Sequence, residues 1–380
     1  MSEMNELYEQ IEARIATSGK ILQRTYACEP GCFAVVELVN VPCQATPREL
    51  ITDVELAFEQ LYLPKLKREL EVDSDYVPAI DLFHGTVVMA AAFGAEVCYP
   101  PGEWPWARPT LTSLKDVRHL RMPNLRKSEP ILNYLNQIRW LQDRTEGRVP
   151  IKLMDLQSPF GVATQLIDAN TLLVEMLEYP DMLRLLLEMI AEASVTFVEM
   201  MEETYVMGAY PGRCFPCVTE NIGICVADDT PLIFLSPQMY EEFCLAAMQQ
   251  IAAAVPGLFI HSCGDYTHQV DNLLKIPNLR SLQMHTGPHE IDSYPTWKRI
   301  RGKISMWSDT NHVGLGDEYA GRFWDCYNEY VLPRFMNDGD CTGLVILSPP
   351  ADTVEERQKN HAILRQKLGS LSSQQPKARA

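Results

Sequence analysis

From about residue 75 onward the chain keeps one rhythm: short apolar runs of strand length, several closed by a polar or ionisable residue, alternate with longer amphipathic segments. Strands are expected at 77–82 (VPAIDL), 149–156 (VPIKLMDL), 222–229 (IGICVADD), 258–264 (LFIHSCG), 280–285 (RSLQMH), 303–309 (KISMWSD) and 343–348 (GLVILS), with an eighth around 205–209 (YVMGA). Between them run helical stretches such as PDMLRLLLEMIAEASVTFVEMMEE and SPQMYEEFCLAAMQQIAAAV, the second opened by Ser236 as cap and Pro237 as first helical residue. Strands that alternate with helices make a parallel sheet, and this many units fit a closed (β/α)8 TIM barrel better than an open doubly wound sheet. No GxGxxG or Walker loop follows any of the runs, which weakens the open-sheet alternative further.

Residues 1–75 read as an N-terminal helical extension packed on the barrel. Leu7, Ile11 and Ile15 recur at helical spacing, as do the apolar positions of LITDVELAFEQLYLPKL, and an irregular segment with Cys28 and Cys32 lies between. The barrel is expected to occupy 76–370, and the polar residues 371–380 to form a frayed tail. A hydrophobic content of 46% supports a large core, while 50 acidic against 33 basic side chains give a formal charge of -17. That charge repels phosphate backbones and anionic lipid surfaces, so neither nucleic acid nor membrane is an expected partner. The opening MSEMNELYEQIEARIATSGK lacks the apolar stretch of a signal peptide, and no window approaches the roughly 18 apolar residues of a membrane span. An odd 11 cysteines scattered through the chain point to reduced thiols and a cytoplasmic location.

In such a barrel the reactive groups project from the C-terminal ends of the strands. The residues there are Asp81 with His84, Asp155 with Gln157, Asp228 with Asp229, His261 with Cys263 and Asp265, His285, Asp309 with Asn311, and Ser348. An isolated Asp or Asn at a strand end is commonly the cap of the next helix, but so many ionisable groups on one rim point to a site. Asp155, Asp228, Asp229, His285 and Asp309 are the candidates for proton handling, and Asp81, His84, Gln157 and Asn311 for substrate contact. The sharpest local signal is LFIHSCGD. Residues two apart in an extended segment point the same way, so the His261 imidazole and the Cys263 thiolate face one point in the barrel mouth. They are two ligands for zinc, which needs a third or fourth. Cys214 and Cys217 have CxxC spacing without a second pair and read as ordinary loop thiols, as do Cys28 and Cys32. The Met-rich helix reads as core or as the contact of a homodimer. The loop with Trp104 and Trp106 either lids the cleft or packs against its rim.

AAFGAEV (91–97), QSPFGVATQL (157–166), ICVADDTPLIFLSPQMYEEF (224–243) and IHSCGD (260–265) resemble, in kind and order, the uroporphyrinogen decarboxylase superfamily, which includes the cobalamin-dependent methyltransferases. The resemblance implies a barrel with a deep central cleft. It does not extend to heme synthesis: the arginine-rich RQAGR motif of the true decarboxylases is missing before Asp81, and Asp81 and His84 only neighbour the position of their catalytic Asp. In the corrinoid-linked methyltransferases His-x-Cys and a later Cys, just after the last strand, hold zinc. His261 and Cys263 match, but the last strand here runs into Ser348-Pro349-Pro350-Ala351. Cys341 precedes that strand and so lies toward the opposite face, which leaves His285, Asp228 or Glu220 as the third ligand. The resemblance implies methyl transfer between a methoxy, methylamine or thiol compound and a corrinoid on a separate carrier protein, since no corrinoid-binding domain is recognisable in the chain. The rivals are a metal-free decarboxylase or lyase in which rim acids and histidines protonate a carbanion, favoured by the missing Cys, and a non-catalytic binding barrel, disfavoured by the ionisable rim.

Overall fold

The computed structural model describes residues 3–82, 84–205, 223–285, 293–309, 323–336 and 339–372. Its strands are β1 (Ala34–Val36), β2 (Ile80–Asp81), β3 (Glu96–Cys98), β4 (Trp106–Arg108), β5 (Ile151–Lys152), β6 (Leu156–Gln157), β7 (Ile224–Ala227), β8 (Leu258–His261), β9 (Leu279–His285), β10 (Ser305–Asp309) and β11 (Leu344–Leu347). The apolar runs of β7 and β11 are buried at every position, the pattern of parallel strands covered on both faces. Seven strands form one sheet in the order β1-β11-β10-β9-β8-β7-β6. β2 pairs in parallel with β5, Ile80 opposite Ile151 and Asp81 opposite Lys152, and β5 runs on into β6. The Asp75 N–H donates to the Val35 carbonyl and the Val35 N–H to the Asp75 carboxylate, so the run leading into β2 is tied to β1. The order therefore returns on itself, as a (β/α)8 barrel with helices outside.

Each of the seven runs expected from 77 to 348 contains strand. The first barrel strand, however, is β1, in the irregular stretch between the helices of the segment expected to be a helical extension outside the barrel. The run around 205–209 lies, after Tyr205, outside the described residues, as does the tail from 373. β1 takes the eighth place in the barrel.

The helices cover this sheet as their sequence periodicity requires. Helix Glu3–Tyr26 buries Leu7, Ile11 and Leu22, and its Arg14 donates to the carbonyls of Val72 and Ser74, 2.9 Å each. Helix Pro180–Thr204 buries Leu186, Ile190, Phe197, Met200 and Met201, so these two methionines are core. The Ser236 hydroxyl accepts from the Met239 N–H and Pro237 opens the helix Pro237–Phe243, as the sequence predicts. Helix Val354–Ser372 closes the barrel from outside. Arg357 forks onto Glu37 at 2.6 and 3.0 Å, the His361 ring lies 3.1 Å from the Val35 carbonyl, and Arg365 pairs with Asp75. Among the described residues, no helix is long and apolar enough to cross a membrane.

After β2 the chain forms the antiparallel hairpin β3–β4, Cys98 opposite Trp106, whose proline-rich tip carries Trp104. Gly85, at φ +77, lets Pro105 close on the loop beneath, since a Cβ there would sit 2.9 Å from the proline ring. The hairpin thus packs on the rim, with Trp106 left 48% exposed.

Candidate metal centre at the barrel mouth

The parallel pairing of β7 and β8 sets Ala227 opposite His261, and the Asp228 N–H donates to the His261 carbonyl at 2.9 Å. The residues that follow on the two chains are therefore neighbours. Cys263, two beyond His261, brings its Sγ to 3.4 Å from His261 Nε2. Asp229, first residue of the helix Asp229–Phe234, accepts the Cys263 N–H with one carboxylate oxygen. Ligand atoms of Asp229, His261 and Cys263 all lie within 4.8 Å of one another, with Asp229 and His261 half-buried and Cys263 exposed. Gly264 makes this approach possible, because a Cβ there would lie 2.4 Å from Ile233 Cδ1 on the facing helix. A mixed oxygen, nitrogen and sulfur set of three, open on the solvent side, has the donor chemistry of a catalytic zinc site.

Asp228 was a candidate third ligand, and the structure turns it away from this group. It is fully buried, its Oδ2 accepting from the Tyr240 hydroxyl at 2.7 Å. Ser158, which also caps the helix Pro159–Leu166, bonds the same carboxylate. Burial pushes the Asp228 carboxyl up to about 7, the Ser158 and Tyr240 bonds pull it back, and the neighbouring Asp229 adds to the rise. The two adjacent aspartates thus divide: one into the wall, one into the mouth. His285 and Asp309 stand opposite each other in β9 and β10, with side chains outside the described residues; Glu220 and Asn311, and the Cys214–Cys217 pair, fall outside them altogether. Cys341 is buried before β11 with its thiol toward the Leu368 carbonyl at 3.7 Å, and Cys28 is a half-exposed thiol pushed up to about 11 by desolvation.

The proton-handling candidate Asp155 and the expected substrate residues are dispersed. Asp155 is buried just ahead of β6, and Gln157 closes β6 with its amide beside Gly161. His84 lines a cavity of about 260 Å³ with Ile51, Val88 and Val97. Its Nε2 meets Gln137 Oε1 at 2.8 Å, and the Gln137 amide nitrogen donates to the Ile51 carbonyl at 2.6 Å. Burial pushes the His84 imidazole down to about 4, so it is neutral. Asp81 lies in a different cluster, 3.3 Å from Lys65 Nζ and 3.5 Å from Lys152 Nζ. Sequence reasoning missed both lysines, and also missed Tyr240 and Ser158 as partners of Asp228. The signal for Tyr240 was present in the YEEF segment, one helix after the aspartates.

A family model described as uroporphyrinogen decarboxylase (URO-D) matches residues 49–210. No curated protein matches the sequence significantly. Among solved structures, a methyltransferase from Methanosarcina mazei superposes with a TM-score of 0.64, at 16% identity, over 94% of this chain and 98% of its own. That likeness is one of fold and extends over nearly the whole barrel. With the sequence match over 49–210, it makes the chain similar to uroporphyrinogen decarboxylases in part of its sequence and to a methyltransferase in fold.

Proposed function

We propose that this chain is a methyltransferase that moves a methyl group between a small methoxy, methylamine or thiol compound and the corrinoid of a separate carrier protein, at a zinc site formed by His261, Cys263 and Asp229. The convergence of three unlike ligand atoms within 4.8 Å, where the two neighbouring strands that lead into the DD and HSCG segments end, is the observation that carries the reading. The fold shared with a methyltransferase supports it. Zinc bound there supplies a Lewis acid for the substrate's oxygen, nitrogen or sulfur. The chain's own groups supply the rest. Asp229 fixes the Cys263 backbone through its N–H and keeps a second oxygen for the metal. Asp228 is a proton-holding carboxyl in the wall beneath, its orientation set by Tyr240 and Ser158.

Metal content by elemental mass spectrometry, on protein purified without chelator or affinity nickel, tests this. Near-stoichiometric zinc is expected in the wild type, falling sharply in Cys263→Ser and in Asp229→Asn. Retention in Asp229→Asn alone would pass the third position to another residue, His285 or Glu220 first. A folded wild type that stays empty after incubation with zinc would overturn the metal mechanism. The metal-free decarboxylase or lyase, the activity after which the family model is named, would then take its place.

A further inference from the structure

Gln137 fixes which nitrogen of the His84 ring carries a proton. The Ile51 carbonyl can only accept, so the Gln137 atom 2.6 Å from it is the amide nitrogen, and the amide oxygen faces His84 Nε2 at 2.8 Å. Nε2 therefore donates, and in the neutral imidazole Nδ1 is left as a bare lone pair. Burial, which pushes the ring down to about 4, keeps that lone pair free of a proton at neutral pH. The Tyr134 ring, edge-on with centroids 5.1 Å apart, holds the imidazole from a second side. His84 is 3% exposed, and its Nδ1 has no hydrogen-bond partner among the described residues, yet it is not one of the polar atoms sealed inside the protein. It opens on the cavity of about 260 Å³ that the residue lines. The inner walls there are aliphatic, with Ile51 and Val88 buried, whereas Glu129 and Asn133 at the same cavity are exposed. Water entering the cavity satisfies the lone pair but leaves the aliphatic walls wet. A molecule with one O–H on an apolar body answers both.

We propose that this cavity binds a small neutral hydroxyl compound, an alcohol or a phenol, whose O–H donates to His84 Nδ1 while its hydrocarbon body covers the aliphatic walls. A carboxylate has no proton to give to a lone pair, and an ammonium would bury its charge beside a neutral ring while the Glu129 carboxylate stays in solvent. The cavity is separate from His261, Cys263 and Asp229. Its walls come from the helices Pro47–Thr52, Val88–Ala92 and Glu129–Arg144 and from β3, not from β7 or β8, so the inference stands whether or not zinc binds.

Ligand-observed NMR titration of the full chain at pH 7 with phenol, toluene, benzoate and benzylamine, at constant ionic strength, tests it. Saturable binding of phenol is expected, with toluene about tenfold weaker for want of the hydrogen bond and the two charged compounds weaker still. His84→Gln keeps an amide donor for Gln137 and removes the Nδ1 acceptor, so its phenol affinity should fall about tenfold, to that of toluene, with toluene unchanged. Should that variant fail to fold, Ala91→Leu fills the cavity from a half-exposed helical position and is expected to abolish binding of both. Cys263→Ser should bind phenol like the wild type, which separates this cavity from the barrel mouth. The proposal is overturned by a wild type that shows no saturable binding of phenol, or that binds toluene, benzoate or benzylamine as tightly. It is equally overturned if folded His84→Gln keeps the preference for phenol, if Ala91→Leu binds like the wild type, or if Cys263→Ser loses the phenol.

Discussion

His84 shows how far surroundings reset one side chain. Its value of about 4 in the folded chain lies below the ordinary 6.5, so the unfolded chain takes up more protons between those limits. The stability it contributes is complete above pH 6.5 and is lost as pH falls toward 4. Urea unfolding from pH 7 to pH 4 should therefore cost the wild type on the order of 3 kcal/mol more than His84→Gln, whose amide reaches the position of the imidazole Nε2 and can still donate to Gln137. A wild type and variant that lose stability in parallel would show that the imidazole charges without penalty. The sequence displayed His84, Asp228 and Asp229 as ionisable residues beside strand ends, yet not their separate fates. Strand alternation stops at Asp228 because a helix begins at Asp229, and from there only the packing of Tyr240 and Ser158 decides which carboxylate is buried. His261 and Cys263, two apart at the end of a strand, needed no such information.

At the scale of elements, the metal centre depends on how β7 meets β8. Gly223, at φ +97, precedes β7 so closely packed that a Cβ would lie 1.5 Å from the Gly257 carbonyl oxygen, which accepts the Ile224 N–H at 3.0 Å. Gly223→Ala should force the two strands apart where their pairing starts, lowering stability by at least about 2 kcal/mol and reducing zinc content with it. Gly302→Ala is the comparison, since Gly302 has a similar left-handed φ of +74 but nothing within 4 Å of the added Cβ; about 1 kcal/mol and full zinc content are expected. Thermal melts with metal analysis on both variants check the difference. Strands were legible wherever an apolar run was long enough to show its character. β1 was not, because Ala34–Val36 is too short for a period to register. The Lys152–Asp81 contact was hidden for another reason: it depends on two strands 71 residues apart falling into register.

For the molecule as a whole, repeating strand–helix units announced a barrel, but nothing in them said how it closes. Closure joins the chain's two ends: β1 pairs with β11, Val35 opposite Ile346, while Arg357 grips Glu37 with both side chains almost wholly buried. Removing one partner of such a pair is far costlier than replacing both, so Arg357→Ala should lose about 3–5 kcal/mol in urea unfolding and Arg357→Met with Glu37→Leu markedly less. Equal losses would mean that the packing of the C-terminal helix, rather than its charges, holds the seam. The same seam bears on how the protein is made. A ribosome releases β1 more than 300 residues before the strand it must pair with, so Ala34–Val36 waits through most of synthesis with an open edge that the rest of the barrel cannot cover. Slowing translation ahead of β11 should consequently prolong the aggregation-prone stage and lower soluble yield, whereas the same delay placed after residue 372 should not.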